Sequence, residues 1–292
     1  MSSPFCKPFG VPSAHDDLLY IRSGQNIMKP SPSLGPVLYC GDPHGQFRHI
    51  IDAAGQAKAS AVVLLGDLEP ARALHDELSP LVERGTPLFF IHGNHDADSD
   101  DLANRVWGSS VAHCNVHGRV VTLPDGTRLA GLGGVFREAV WYPSMAAARQ
   151  GAPAFRTRQD HAKATPRQDR WMNGAARKHL GTIYPEDVDC LADLRADVLI
   201  THEAPGYHPN GFDLLDTLAQ SMGARVTVHG HHHDRLDSSK RWDTQGFKSF
   251  GVGLRGITAI DADGNARVVV AGELDAERAV RTIAQGTRDS DA

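Results

Sequence analysis

Two rhythms of apolar and polar positions alternate over residues 37–91. Val37–Cys40, Ala61–Leu65 and Pro87–Ile91 are short, nearly unbroken apolar runs, the pattern of strands covered on both faces. Between them, Gln46–Lys58 sets Phe47, Ile50, Ile51 and Ala54 on one helical face, and Ala71–Arg84 does so with Leu74, Leu78, Leu81 and Val82. A β-α-β-α-β order of this kind predicts an α/β fold with a largely parallel sheet. Gly118–Gly133 then predicts a hairpin, Val120–Leu123 and Thr127–Leu132 about a turn at Pro124–Gly126. Asp197–Thr201 and Arg225–Val228 read as strands with a helix over Phe212–Met222 between them. Gly256–Ile260 and Ala266–Ala271 form a second hairpin about Asp263-Gly264. Parallel units mixed with hairpins imply two sheets packed face to face with helices outside.

Three stretches stand outside this pattern. Residues 1–36, rich in Pro, Ser and Gly, read as an irregular lead-in, and residues 275–292 as a polar tail that frays beyond a short helix. Residues 137–178 have weak periodicity and hold nine basic against three acidic residues, with Phe136, Trp141, Tyr142, Phe155 and Trp171 interleaved. That segment reads as a cap-like insertion over the sheet. With no internal repeat, residues 1–292 are expected to form one domain.

Composition narrows the class. With 292 residues, 41% hydrophobic and 22% charged, the chain can bury a full core without a disulfide or metal staple. No apolar run approaches the length of a membrane span, and MSSPFCKPFG is no secretory leader, so no membrane partner is expected. The four cysteines (Cys6, Cys40, Cys114, Cys190) are dispersed, which reads as reduced thiols in a cytoplasm and disfavours a cysteine zinc site. The 16 histidines, by contrast, cluster at the ends of apolar runs.

Those clusters are five short motifs: Gly41–Gln46 (GDPHGQ), Gly66-Asp67, Gly93–Asp96 (GNHD), Thr201–Glu203 (THE) and Gly230–His233 (GHHH). The carboxyl ends of parallel strands share one edge of a sheet, where ligands bind in open α/β folds. Asp42, His44, Asp67, Asn94, His95, His202, His231 and His233 should therefore converge. Carboxylate, imidazole and amide oxygen suit manganese, iron or zinc. The set is too large for one tetrahedral zinc and suits two divalent ions sharing a ligand, with Asp67 able to bridge through its two oxygens. Such a pair would clamp a phosphoryl oxygen and acidify a bound water.

In this order the five motifs resemble the calcineurin-like metallophosphoesterase superfamily, over about residues 37–260. The resemblance implies a four-layer α/β/β/α sandwich. It assigns Asp42, His44, Asp67 and His233 to one metal, and Asp67, Asn94, His202 and His231 to the other. It makes His95 the histidine that protonates the leaving oxygen. The first motif is shared with the phosphoprotein phosphatases, but Leu68–Arg72 and His92 stand where that group carries its phosphate-clamping arginines and the aspartate that orients the catalytic histidine. Arg72, His92 and Arg137 are the residues expected to touch substrate in their place.

The expected function is metal-dependent hydrolysis of a phosphate mono- or diester, a nucleotide among the candidates, by in-line attack of a metal-bound hydroxide. A nuclease using the basic segment is the nearest alternative, although a net charge of −5 disfavours a large nucleic-acid footprint. Protein dephosphorylation and a non-catalytic scaffold are the others. The aromatic, basic segment is expected to favour anionic, nucleotide-like substrates.

Overall fold

The structure, a computed structural model, describes residues 34–143 and 152–278. Most of the expected lead-in and tail therefore lie outside the described residues. Strands form where the apolar runs are. β1 (Val37–Cys40), β2 (Ala61–Leu64) and β3 (Leu88–Phe90) are parallel, and the hairpin β9 (Ile257–Ile260) and β10 (Ala266–Val270) completes a sheet of order β10-β9-β1-β2-β3. The other hairpin, β4 (Arg119–Thr122) and β5 (Arg128–Leu132), opens a second sheet. It continues in parallel through β6 (Val198–Thr201), β7 (Val226–His229) and β8 (Lys248–Gly251).

Side chains on a strand alternate faces, and each face here has a cover. Val37, Tyr39, Ala61 and Val63 meet Val198, Ile200, Val226 and Val228 of the second sheet. Their neighbours Leu38, Cys40, Val62 and Leu64 turn outward, onto Ile50 and Ala54 of α1 (Arg48–Ala57) and onto Leu74, Leu78 and Leu81. On the far side Ala130, Leu132 and Leu199 lie under α6 (Pro185–Ala192) and α7 (Asp213–Met222). The result is the expected order of helix, sheet, sheet, helix. No helix among the described residues is long and apolar enough to cross a membrane.

The helix expected over Ala71–Arg84 is two pieces, α2 (Leu74–Glu77) and α3 (Ser79–Glu83), separated by Leu78 at φ −102°. Pro80 explains the break: it has no N–H to give to the Asp76 carbonyl, and its ring would crowd that carbonyl in a continuous helix. α4 (Asp100–Trp107) was not expected. Its start is marked by Ser99, whose hydroxyl accepts the Leu102 amide at 3.1 Å, and by Asp100 and Asp101 in the first turn.

The basic segment carries α5 (Arg158–Ala164) and is tied to the body by its own charges. Arg158 pairs with the Asp187 carboxylate, lies 3.5 Å from Glu186 Oε1 and sits 4.7 Å over the Tyr184 ring. Burial alone would raise the Asp187 carboxyl, but Arg158 and His117 outweigh it and hold it well below the usual carboxylate range. The group's contribution to stability is therefore present above about pH 4 and is lost as the pH falls below that value. Asp187→Asn should destabilise the fold by about 2 kcal/mol at pH 7, less than a fully buried pair because Arg158 is 33% exposed. Urea unfolding at pH 7 and pH 3 checks this: the difference between parent and variant should shrink at pH 3.

Candidate metal centre

Each of the five motifs begins at or just beyond the carboxyl end of a parallel strand, β1, β2, β3, β6 or β7. The loops turn back at once, and the backbone records the cost. Asp42, His44, Asp67, His231 and His233 all have positive φ, from 34° to 67°, as does Glu69 at 42°. Non-glycine residues there cost of order 1–3 kcal/mol each and gather at functional sites. Space is equally tight. A Cβ on Gly93 would run into Asp67 Oδ1, and one on Gly230 would stand 2.8 Å from Asp42 Oδ1.

Two donor groups result: His44, Asp67 and His233, and Asp67, His202 and His231, each with its donor atoms within 4.8 Å of one another. Asp67 belongs to both. In the first, His44 Nε2 and His233 Nε2 face each other at 3.1 Å. In the second, His202 Nε2 stands 3.4 Å from Asp67 Oδ2 and 3.2 Å from Asn94 Oδ1. Asp42 lies alongside, its Oδ1 3.7 Å from His202 Nδ1, and both its oxygens accept the His231 amide at 3.0 Å. The seven expected ligands are thus brought together.

The donors are aimed. Glu69 Oε1 is 3.0 Å from His44 Nδ1, and the Leu65 carbonyl is 2.7 Å from His202 Nδ1. Each acceptor takes the Nδ1 proton and leaves an Nε2 lone pair for the centre. Asp96, fully buried, accepts the amides of Leu68, Glu69 and Gly93 at 2.7–3.0 Å and so knits the second motif to the third. Glu203 accepts the Phe136 amide and points Oε2 to within 3.7 Å of His231 Nε2.

The electrostatics ask for positive charge. Burial pushes the Asp42 carboxyl up to about 7, only partly offset by His202. Burial would also raise Asp67, but His202 and the His95 amide outweigh it and hold the carboxyl below the usual range. His202 in turn, which burial alone would keep neutral, is lifted to about 10 by Asp67 and Asp42. Burial lowers His231 to about 3 and His233 to about 4, so both rings are neutral near pH 7, as metal ligation requires. Buried carboxylates beside the neutral rings of His231 and His233, with no thiolate, fit divalent cations, and a cation bound there would take the place of the proton that Asp67 and Asp42 hold on His202.

A family profile described as calcineurin-like phosphoesterase matches residues 35–235. The chain belongs to the calcineurin-like phosphoesterase family. A Haemophilus influenzae protein described as uncharacterized is 37% identical over 229 residues, covering 78% of this chain and 95% of that one. The crystal structure of TT1561 from Thermus thermophilus matches with a TM-score of 0.53 at 14% identity, over 82% of this chain and 99% of that one, a likeness of fold. Membership of the calcineurin-like phosphoesterases implies a metal-dependent hydrolase of phosphoesters.

His95 stands beside the donors without joining either group. Its amide donates to Asp67 Oδ1 at 2.9 Å, and its Nδ1 meets Asp98 Oδ2 at 2.6 Å, with Glu69 Oε1 at 3.8 Å. Burial alone would lower the ring's pKa, but Asp98, Asp67 and Glu69 outweigh it and raise it, favouring the protonated form. Asp98, three residues along the chain, is thus the carboxylate partner of the His95 ring.

The three residues expected at the substrate are placed differently from one another. His92 is buried, 3% exposed, against Asn115, Trp107 and His117. Arg72 is exposed, and its Nε and Nη2 both go to the Glu77 carboxylate. Arg137 has a buried Nε without a hydrogen-bond partner, and its charge acts on Glu203.

Among the described residues of the basic segment, several cations are engaged by protein groups, while Arg167 and Lys178 are exposed and Arg149 lies outside the described residues. Arg156 pairs with Asp189, Arg158 with Asp187, and Arg170 bonds the Thr165 and Lys163 carbonyls. Three of its aromatics are engaged as well: Trp141 packs on Phe136, Tyr142 on Phe212, and Phe155 stacks on His161 at 4.1 Å.

Proposed function

We propose that this calcineurin-like phosphoesterase is a dinuclear enzyme acting on small phosphate mono- or diesters. The observation that carries the reading is the carboxylate of Asp67, common to two donor groups. Asp42, His44, Asp67 and His233 would hold one ion, and Asp67, Asn94, His202 and His231 the other. Manganese, iron and zinc all suit the set. When bound, the ions supply Lewis-acid charge at the phosphoryl oxygens and a water of lowered pKa.

The chain's own groups do the rest. Glu69 and the Leu65 carbonyl hold the His44 and His202 rings in one tautomer. Asp98 engages Nδ1 of His95 and leaves Nε2 as the nitrogen that gives its proton to the departing oxygen. Arg137, with its unpartnered Nε, is the side chain we assign to a phosphate oxygen. The pairing of Arg156, Arg158 and Arg170 with protein groups favours a small phosphoester over a nucleic-acid strand. We place the enzyme in the cytoplasm on the cysteine pattern alone.

The test is a panel of aryl and alkyl phosphate mono- and diesters, nucleotides, phosphopeptides and short oligonucleotides, turned over by manganese-loaded protein with its metal content measured. Two ions per chain and hydrolysis of small esters are expected. Full occupancy with no hydrolysis of any of them would overturn the reading. Manganese at a hundredfold excess over its Kd should also stabilise the fold by about 2.7 kcal/mol per site. A denaturation midpoint that ignores the metal would count against folded-state sites.

A further inference from the structure

We propose that Arg177 is a positioning residue for the acid step, so that the basic segment controls protonation of the leaving group. This rests on the role given to His95 above.

Arg177 opens the turn Arg177–Gly181, at the close of the basic segment. Its side chain crosses to the loop that carries His95. Nε donates to the Ala97 carbonyl at 2.9 Å, Nη2 donates to the Asp98 carbonyl at 2.8 Å, and Nη1 meets the Asp100 carboxylate. Two of these acceptors are consecutive main-chain carbonyls, one of them that of Asp98 itself. The guanidinium therefore fixes the stretch of backbone on which the Asp98 carboxylate is mounted, and that carboxylate orients the His95 ring. A planar fork of donors sets direction as well as distance, which an ammonium does not.

The rest of the loop is held by other means, and at Asp98 they amount to one main-chain bond, from its amide to the His95 carbonyl at 3.1 Å. Asp96 gathers the Gly93, Leu68 and Glu69 amides, and the His95 amide goes to Asp67. Beyond Asp96 the side chains of Asp98 and Asp100 are 58% and 64% exposed, so packing gives them little constraint. Arg177 acts there. The same turn also lies against the start of the motif, since a Cβ on Gly181 would stand 2.6 Å from the Gly93 carbonyl oxygen. All three guanidinium nitrogens of Arg177 are engaged by protein acceptors, which argues for positioning rather than for contact with a phosphate.

The experiment compares Arg177→Ala, Arg177→Lys, His95→Ala and the double variant Arg177→Ala/His95→Ala on an alkyl and a nitrophenyl phosphoester. It also follows amide hydrogen exchange of residues 95–100 in metal-free protein. Arg177→Ala should lower kcat for the alkyl ester by on the order of 10- to 10²-fold, the scale of a misplaced group, with KM unchanged. The nitrophenyl ester should hardly respond. Arg177→Lys should fall between parent and Ala. Adding Arg177→Ala to His95→Ala should cost nothing further, as for residues that act through one another. Exchange should quicken at residues 97–100 and stay as in the parent in β1 and β2. Equal losses on both esters, full additivity with His95→Ala, or a raised KM would overturn the inference. If His95→Ala proves insensitive to the leaving group, the acid role falls and the inference with it. If His95→Ala is sensitive and Arg177→Ala is not, the inference alone falls.

Discussion

Asp67→Asn should empty both metal positions together and lower turnover by at least about 10³-fold, the scale of losing a preorganised charge at the reacting centre. Asp67 is the residue common to the two donor groups. One of its oxygens accepts the His95 amide and the other faces His202 Nε2 at 3.4 Å. An amide keeps one acceptor, loses the charge, and turns an NH2 toward a ring nitrogen or a backbone donor. The fold should survive, because asparagine tolerates the positive φ of 47° that this position requires. Elemental analysis after purification without chelators, beside circular dichroism, checks the result. A variant with parent turnover and an unchanged metal complement would refute the shared-ligand centre. Asn94→Ala is the contrast: Asn94 lies next to the second group, so it should weaken one ion and spare the other.

The parts of this site legible in the sequence are those written as local patterns. A short apolar run ending in Gly-Asp or Gly-Asn-His fixes both a strand and what emerges from its end, which is why β1, β2, β3, β6 and β7 and their loops fall where the runs predict. What the sequence hides is pairing across distance. Counted within residues 137–178, the arginines look like an unneutralised field, yet Arg156 and Arg158 meet Asp189 and Asp187, about thirty positions on, in α6. Glu69, read as part of an interruption of the second motif, holds the His44 ring. Asp98 was legible in principle, since a residue three positions from His95 in a helical turn shares its side. His92 shows the same limit, because a histidine after a strand reads alike whether it faces a cleft or is buried, as here, against Trp107 and His117.

His95→Ala should keep its metals and lose on the order of 10²–10⁴-fold in kcat for alkyl phosphoesters, the usual worth of a general acid. Metal retention follows from geometry, because the contact of this residue with Asp67 is made by its backbone amide, which alanine preserves. The loss should shrink toward nothing for nitrophenyl esters, whose departing oxygen is stable without a proton. Asp98→Asn should move the same way by a smaller factor. The ring stays, but the carboxylate that orients it at 2.6 Å and favours its protonated form is gone. Rates across a series of leaving groups give the measurement: the parent should depend weakly on leaving-group pKa, His95→Ala steeply, and Asp98→Asn in between. Parallel lines for all three, displaced only in height, would mean that His95 and Asp98 shape the metal centre and carry no proton.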